Sequence, residues 1–164
     1  MKNPNAEVYI AGPLFNAQEN KHNITLAKMF REKGYSVFNP IEDGIEGAAQ
    51  KISEEELIHN IHAPDFSRVM RARIFVANLD GPQVDDGTAA ESGMAYVSKV
   101  GIPGKMREDS PRVKLMLAYF SDTRSLTSNM KRNPLVIGSF DAVFSNLEEL
   151  VDYACKRCPP KSPR

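Results

Sequence analysis

Short apolar runs alternate with longer stretches of helical periodicity along this chain, and most runs end in glycine, proline or asparagine. Val8-Tyr9-Ile10-Ala11 reads as a strand, broken by Gly12-Pro13. Asn20 to Lys33 reads as a helix, with Ile24, Ala27, Met29 and Phe30 available for its inner side and Gly34 as its stop. Tyr35 to Phe38 is a second strand, closed by Asn39-Pro40, and residues 41–51 read as a loop over the sheet edge. Ser53 and Glu56 form a capping box for a helix that Pro64 restarts or kinks before it ends near Ala72. Residues 73–79 are a third strand, and Thr88 to Val100 is the next helix. After a loop over 101–112, Val113 to Phe120 is a fourth strand. Either Leu135-Val136-Ile137 or Ala142-Val143-Phe144 supplies the last strand, and Ser145 or Asn146 caps a final helix over 147–155.

Strands that alternate with helices predict a parallel sheet covered on both faces. The expected fold is a flavodoxin-like or Rossmann-like three-layer α/β sandwich with a mainly parallel five-stranded sheet. Right-handed crossovers bring the carboxyl ends of the first three strands to one edge. The length, 164 residues, suits a single domain, read here as 1–158 with a disordered tail over 159–164.

Charge and composition narrow the partners. Formal net charge is zero, without the basic footprint of a nucleic-acid binder. No apolar run approaches the roughly 20 residues that span a bilayer. No signal peptide is read at the N-terminus, so a cytoplasmic location is expected. Cys155 and Cys158 form a CxxC at the end of a helix rather than after a strand, and no second ligand pair is visible for zinc. One packing cysteine and one exposed cysteine is the expectation.

The segment that carries chemistry is Asp85-Asp86-Gly87-Thr88-Ala89-Ala90-Glu91-Ser92-Gly93-Met94-Ala95. It joins the third strand to a helix, which sets Asp85, Asp86 and Glu91 at the carboxyl edge where open α/β sheets bind ligands. Gly87 suits a tight turn or a close ligand approach. A carboxylate held in such a crevice can attack an electrophilic carbon.

These residues, in this order, resemble the nucleoside 2-deoxyribosyltransferase family. Val8 to Phe15 resembles its first strand and glycine-containing turn. Asn39 to Gly44 resembles the loop after its second strand. Asp65-Phe66 resembles its Asp-Leu pair, and Asp85 to Gly93 resembles its Asp-x-Gly-x-x-x-Glu-x-Gly signature. The resemblance implies that Glu91 attacks C1′ of a 2′-deoxynucleoside, expels the base and forms a deoxyribosyl ester that a second base then attacks. This is the two-displacement logic of retaining glycosidases. It implies Tyr9 as the residue that orients Glu91, and Asp65 as the carboxylate that assists proton transfer to the departing base. Phe15 would stack near the base or sugar, and Gly12 and Gly87 would border the substrate. Asp85 would hold the 5′-hydroxyl together with Asn129 or Ser128 of a neighbouring subunit. Related glycosidases of deoxynucleoside 5′-monophosphates use serines at those positions, whereas Asp85 would repel a phosphate. Arg73 and Gly44 depart from some members, and the acid-rich loops lean toward purines.

The implied enzyme needs no cofactor and no metal. It takes a deoxynucleoside and a free nucleobase, serves nucleotide salvage, and is at least a homodimer, with a hexamer of three such dimers as the larger assembly. A hydrolase of nucleosides or their 5′-monophosphates is the enzymatic alternative, and a non-catalytic nucleotide-sensing module is the alternative of another class. Asp86 reads as a helix cap. Asp65 alone would read as a first-turn residue after Pro64, and Tyr9 alone as a core residue. The helix N-terminus near Glu91 would help keep it ionised. His59, His62 and Asp65 at i, i+3, i+6 read as surface residues rather than metal ligands.

Overall fold

A computed structural model describes residues 6–44, 53–101, 115–121 and 133–161. Five strands form one all-parallel sheet: β1 (Val8–Ala11), β2 (Val37–Phe38), β3 (Ile74–Asn78), β4 (Leu115–Tyr119) and β5 (Ala142–Phe144). Their order is β2-β1-β3-β4-β5, the flavodoxin-like arrangement. The helices are α1 (Ala17–Glu32), α2 (Pro40–Asp43), α3 (Glu54–Arg71), α4 (Asp86–Val100), α5 (Pro134–Ile137) and α6 (Leu147–Arg157).

Side-chain alternation divides the core into two layers. Val8, Ile10, Ile74, Val76 and Leu117 meet Leu26, Phe30, Leu150 and Ala154 of α1 and α6. Tyr9, Ala11, Phe75, Ala77 and Met116 lie on the opposite face, with Val69 of α3 and Ala95 of α4. Tyr9 and Phe75 are fully buried and their rings stack at 5.8 Å. The register Tyr9↔Phe75 and Tyr9↔Phe38 puts aromatic rings on both sides of Tyr9. The two expectations for the last strand resolve in favour of 142–144, because Pro134 starts a short helix that Asn133 caps. Among the described residues no helix is long and apolar enough to cross a membrane.

Local signals set the helix ends, and several differ from the sequence reading. Helix α1 begins at Ala17, three residues early, because Asn16 and Glu19 form a capping box. Its phase buries Asn23, Leu26, Ala27 and Phe30 and leaves Ile24 outside. Gly34, at φ 90°, follows its end, where only glycine is unstrained. Helix α3 runs unbroken through Pro64, so Asp65 sits mid-helix and owes nothing to a first-turn dipole. The cap of α4 is Asp85, whose carboxylate accepts from the Thr88 amide, and Asp86 is the first helical residue. Gly87 is therefore helical rather than a turn residue.

Both cysteines pack. Cys158 is buried beneath Tyr35, whose hydroxyl donates to its carbonyl at 2.9 Å, and Cys155 is half-buried against the same core. Past Cys158 the Lys161 amide donates to the Glu7 carboxylate, and Arg73 donates to the Pro159 carbonyl. Residues 162–164 lie outside the described part.

Candidate active site

Tyr9 projects from β1 on the α3–α4 face of the sheet. Its hydroxyl donates a 2.6 Å hydrogen bond to Oε1 of Glu91 on α4. Phe38 packs against the Tyr9 ring at 5.3 Å, and Phe75 stacks on it, so the phenol has one direction available. Asp65, from the middle of α3, acts electrostatically on both Tyr9 and Glu91. Three segments far apart in sequence thus bring Tyr9, Asp65 and Glu91 together.

Burial sets the protonation of this group. It pushes Glu91 up to about 7, with Asp65 and Asp85 adding repulsion and the Tyr9 hydrogen bond opposing the rise. Burial also raises Asp65, against the hydrogen bond and charge of Arg68. Tyr9 is raised far above the ordinary phenol value, first by burial and then by the Glu91 and Asp65 charges, so it stays a neutral donor. The expected help from the helix dipole fails for Glu91: it is the sixth residue of α4, beyond the first turn where that effect acts. A carboxyl shifted this far is not an ordinary solvated helix residue.

Asp85 guards the entrance to α4. Its Oδ2 accepts from both the Thr88 amide and the Thr88 hydroxyl at 2.8 Å. A Cβ on Gly87 would stand 3.3 Å from that same oxygen. Gly12, at the end of β1, faces the other side of the sheet. A Cβ there would meet the side chains of Asn23 and Asn78 at 3.0 Å, so close packing explains the glycine. Phe15 stands in the loop after β1 with its ring 81% exposed, while its backbone amide donates to Glu19. Ser128 and Asn129 lie outside the described residues, as does the side chain of His59. His62 stacks near Phe66, with ring centroids 6.3 Å apart.

Two residues escaped the sequence reading. Arg68 donates to Oδ1 of Asp65 at 2.8 Å, and its guanidinium lies 4.1 Å from the centre of the Phe38 ring. Phe38 therefore supports Tyr9 and Arg68 at once. The i, i+3 spacing of Asp65 and Arg68 on one helix was the available signal. A separate cleft of about 500 Å³ lies on the α1 side, lined in part by His22, Asn78, Asp80, Tyr119 and Ser121. It includes none of Tyr9, Asp65 and Glu91.

Comparison with known proteins places this geometry. Residues 8–136 match the nucleoside 2-deoxyribosyltransferase family, a span that contains Tyr9, Asp65, Asp85 and Glu91. No curated protein matches the chain. Among solved structures, the chain is similar to a conserved protein from Enterococcus faecalis V583, with a TM-score of 0.70 and 22% identity over 92% of this chain and 97% of that one. It is similar to a 2-deoxyribosyltransferase from Bacillus psychrosaccharolyticus, with a TM-score of 0.66 and 22% identity over 96% and 98% of the two chains. A CMP N-glycosidase from Clostridium botulinum shares the fold at a TM-score of 0.51 and 15% identity, covering 88% of this chain and 95% of that one. With its match running from β1 into α5, the chain belongs to the nucleoside 2-deoxyribosyltransferase family.

Proposed function

We propose that the protein moves 2-deoxyribosyl groups from one nucleobase to another by double displacement, with Glu91 as nucleophile. The observation that carries this reading is the half-buried Glu91 carboxyl, held by the Tyr9 hydroxyl at 2.6 Å with Asp65 close enough to act on both. In the first displacement a Glu91 oxygen bonds to C1′ and the C1′–N bond breaks. Its electron pair leaves with the base, which takes up a proton with Asp65 assisting. In the second, a nitrogen of the incoming base bonds to C1′, sheds its proton and frees the Glu91 carboxylate. Two inversions give net retention. Tyr9 keeps one oxygen of Glu91 hydrogen-bonded, which directs the other to C1′. A 2′-deoxy sugar lacks an electron-withdrawing hydroxyl, so positive charge at C1′ develops more easily.

Phe15, already exposed, supplies a ring for the base or sugar, and Gly87 borders the pocket. Asp85 holds the 5′-hydroxyl and disfavours a 5′-phosphate by charge. The resemblance assigns Asn129 or Ser128 of a neighbouring copy to the same 5′ end, which makes a homo-oligomer part of this reading. A preference for purines also belongs to it. Glu42 and Asp43 are engaged by Arg31, so direct contact of these two carboxylates with the base does not carry that preference.

The test is chromatography of the protein with deoxyinosine, with and without adenine. Deoxyadenosine that forms only with adenine, and not with Glu91→Ala, is the expected result. Equal release of hypoxanthine in both mixtures, with no new nucleoside, would replace transfer by hydrolysis.

A further inference from the structure

Arg68 is a cation almost removed from solvent, 8% exposed, in the wall of the catalytic group. A buried guanidinium is stable only when paired and stacked. Both partners are in place: Asp65 Oδ1 at 2.8 Å and the face of Phe38 at 4.1 Å. Phe38 is fully buried at the end of β2, in register with Tyr9. One ring therefore fixes two donors, the neutral Tyr9 hydroxyl on Glu91 and the cationic Arg68 on Asp65. The two carboxyl groups of the site receive different partners.

We propose that Arg68 is a positioning residue for the reaction: set over the ring of Phe38, it grips Asp65 by Oδ1 and leaves Oδ2 as the oxygen that meets the nucleobase. This rests on the reading of Glu91 as nucleophile and Asp65 as the base-side carboxylate. Among the described residues, the charged and titratable groups that act on Asp65 are Arg68 on its own helix, Tyr9 on β1 and Glu91 on α4, with Asp85 acting on Glu91 in turn. Among these only Arg68 is positive. Without it, two partly buried carboxyl groups would repel each other without the Arg68 charge that now holds Asp65 down, and one would retain its proton. Aspartate is short, so its angle to the base depends on what grips its other oxygen. The planar fork of arginine fixes that angle, whereas the single ammonium of lysine does not.

The test uses Arg68→Met, which retains an apolar stem over Phe38, and Arg68→Lys, which retains the charge. The Asp65 carboxyl is titrated by NMR in the full chain, and the pH profile of kcat/KM is measured beside it. In Arg68→Met the Asp65 titration should move up by about one unit or more, and one limb of the rate profile should move with it to higher pH. In Arg68→Lys the limb should stay in place while kcat falls about tenfold. A uniform loss of rate in Arg68→Met with both limbs and the Asp65 titration unmoved would reduce Arg68 to a structural residue and overturn the proposal. If the Met variant does not fold, wild-type kcat in Arg68→Lys overturns it. The NMR titration does not depend on turnover. An inactive wild type would sink the deoxyribosyltransferase reading, while an Asp65 titration indifferent to Arg68→Met would sink the role of Arg68 even if exchange proceeds.

Discussion

Tyr9 and Glu91 share a 2.6 Å hydrogen bond although 82 positions separate them in the chain. The phenol is a neutral donor and the carboxyl is half-buried, so the bond favours the ionised form of Glu91. Removing the hydroxyl in Tyr9→Phe should raise Glu91 further above 7. The acidic limb of the rate profile should shift to higher pH, and kcat should fall about ten- to hundredfold, the equivalent of one hydrogen bond to a charged group. A steady-state pH profile of both proteins checks this, and an unchanged limb would separate Tyr9 from the ionisation of Glu91.

Glu91 also leaves a mark on stability. Its folded value, about 7, lies above the ordinary 4.5. The folded state therefore binds the proton more tightly than the unfolded state. Stability from this group is complete below about pH 4.5, is lost as pH rises toward 7, and stays lost above it. Glu91→Gln accepts the Tyr9 hydrogen bond without a charge. It should be more stable than wild type at pH 8, by on the order of 3 kcal/mol, and no more stable at pH 4. Thermal melts at the two values decide, and equal melting at pH 8 would remove the desolvation account.

Asp85 caps α4, and the proposed function adds a second role at the 5′ end of the substrate, which one substitution can separate from the first. Serine caps a helix nearly as well as aspartate, so Asp85→Ser should cost less than about 1 kcal/mol, whereas Asp85→Ala should cost about 1 kcal/mol. The charge, however, disappears in both. The ratio of kcat/KM for a deoxynucleoside over its 5′-monophosphate should fall about tenfold or more in Asp85→Ser, which corresponds to roughly 1.4 kcal/mol. An unchanged ratio would leave Asp85 with the cap alone.

Phe15 is 81% exposed, so the fold does not need its ring. Phe15→Ala should change stability by less than about 0.5 kcal/mol. If the ring stacks on the base or sugar, KM for the nucleoside should rise about tenfold, in line with base–aromatic stacking of roughly 1–3 kcal/mol. A wild-type KM would return Phe15 to the status of a surface residue.

The amino-acid pattern by itself determined the α/β class, the parallel sheet and most element boundaries to within three residues, but it read as loop the short helix at Pro40–Asp43, where proline at the first position starts a turn of helix. These depend on local periodicity and on residues that start or stop the chain's hydrogen bonding. The segment Asp85 to Gly93 was legible for the same reason, since a strand, a cap and a helix adjoin in sequence. Where two local signals competed, the pattern misread them. Asp85 rather than Asp86 caps α4, because only its carboxylate folds back on Thr88. Asn16 rather than a residue near Asn20 starts α1, because Glu19 completes a capping box.

The tertiary structure alone decided which residues face one another. Tyr9 reaches Glu91 only because β1 pairs with β3 in parallel and presents Tyr9 to the α3–α4 side, and a shift of one residue would turn it to α1. The raised carboxyl of Glu91 is a consequence of burial, which no spacing in the sequence encodes. Arg68 and Phe38 become partners through a strand and a helix thirty residues apart, so their joint support of Asp65 and Tyr9 exists only once the sheet has closed over them.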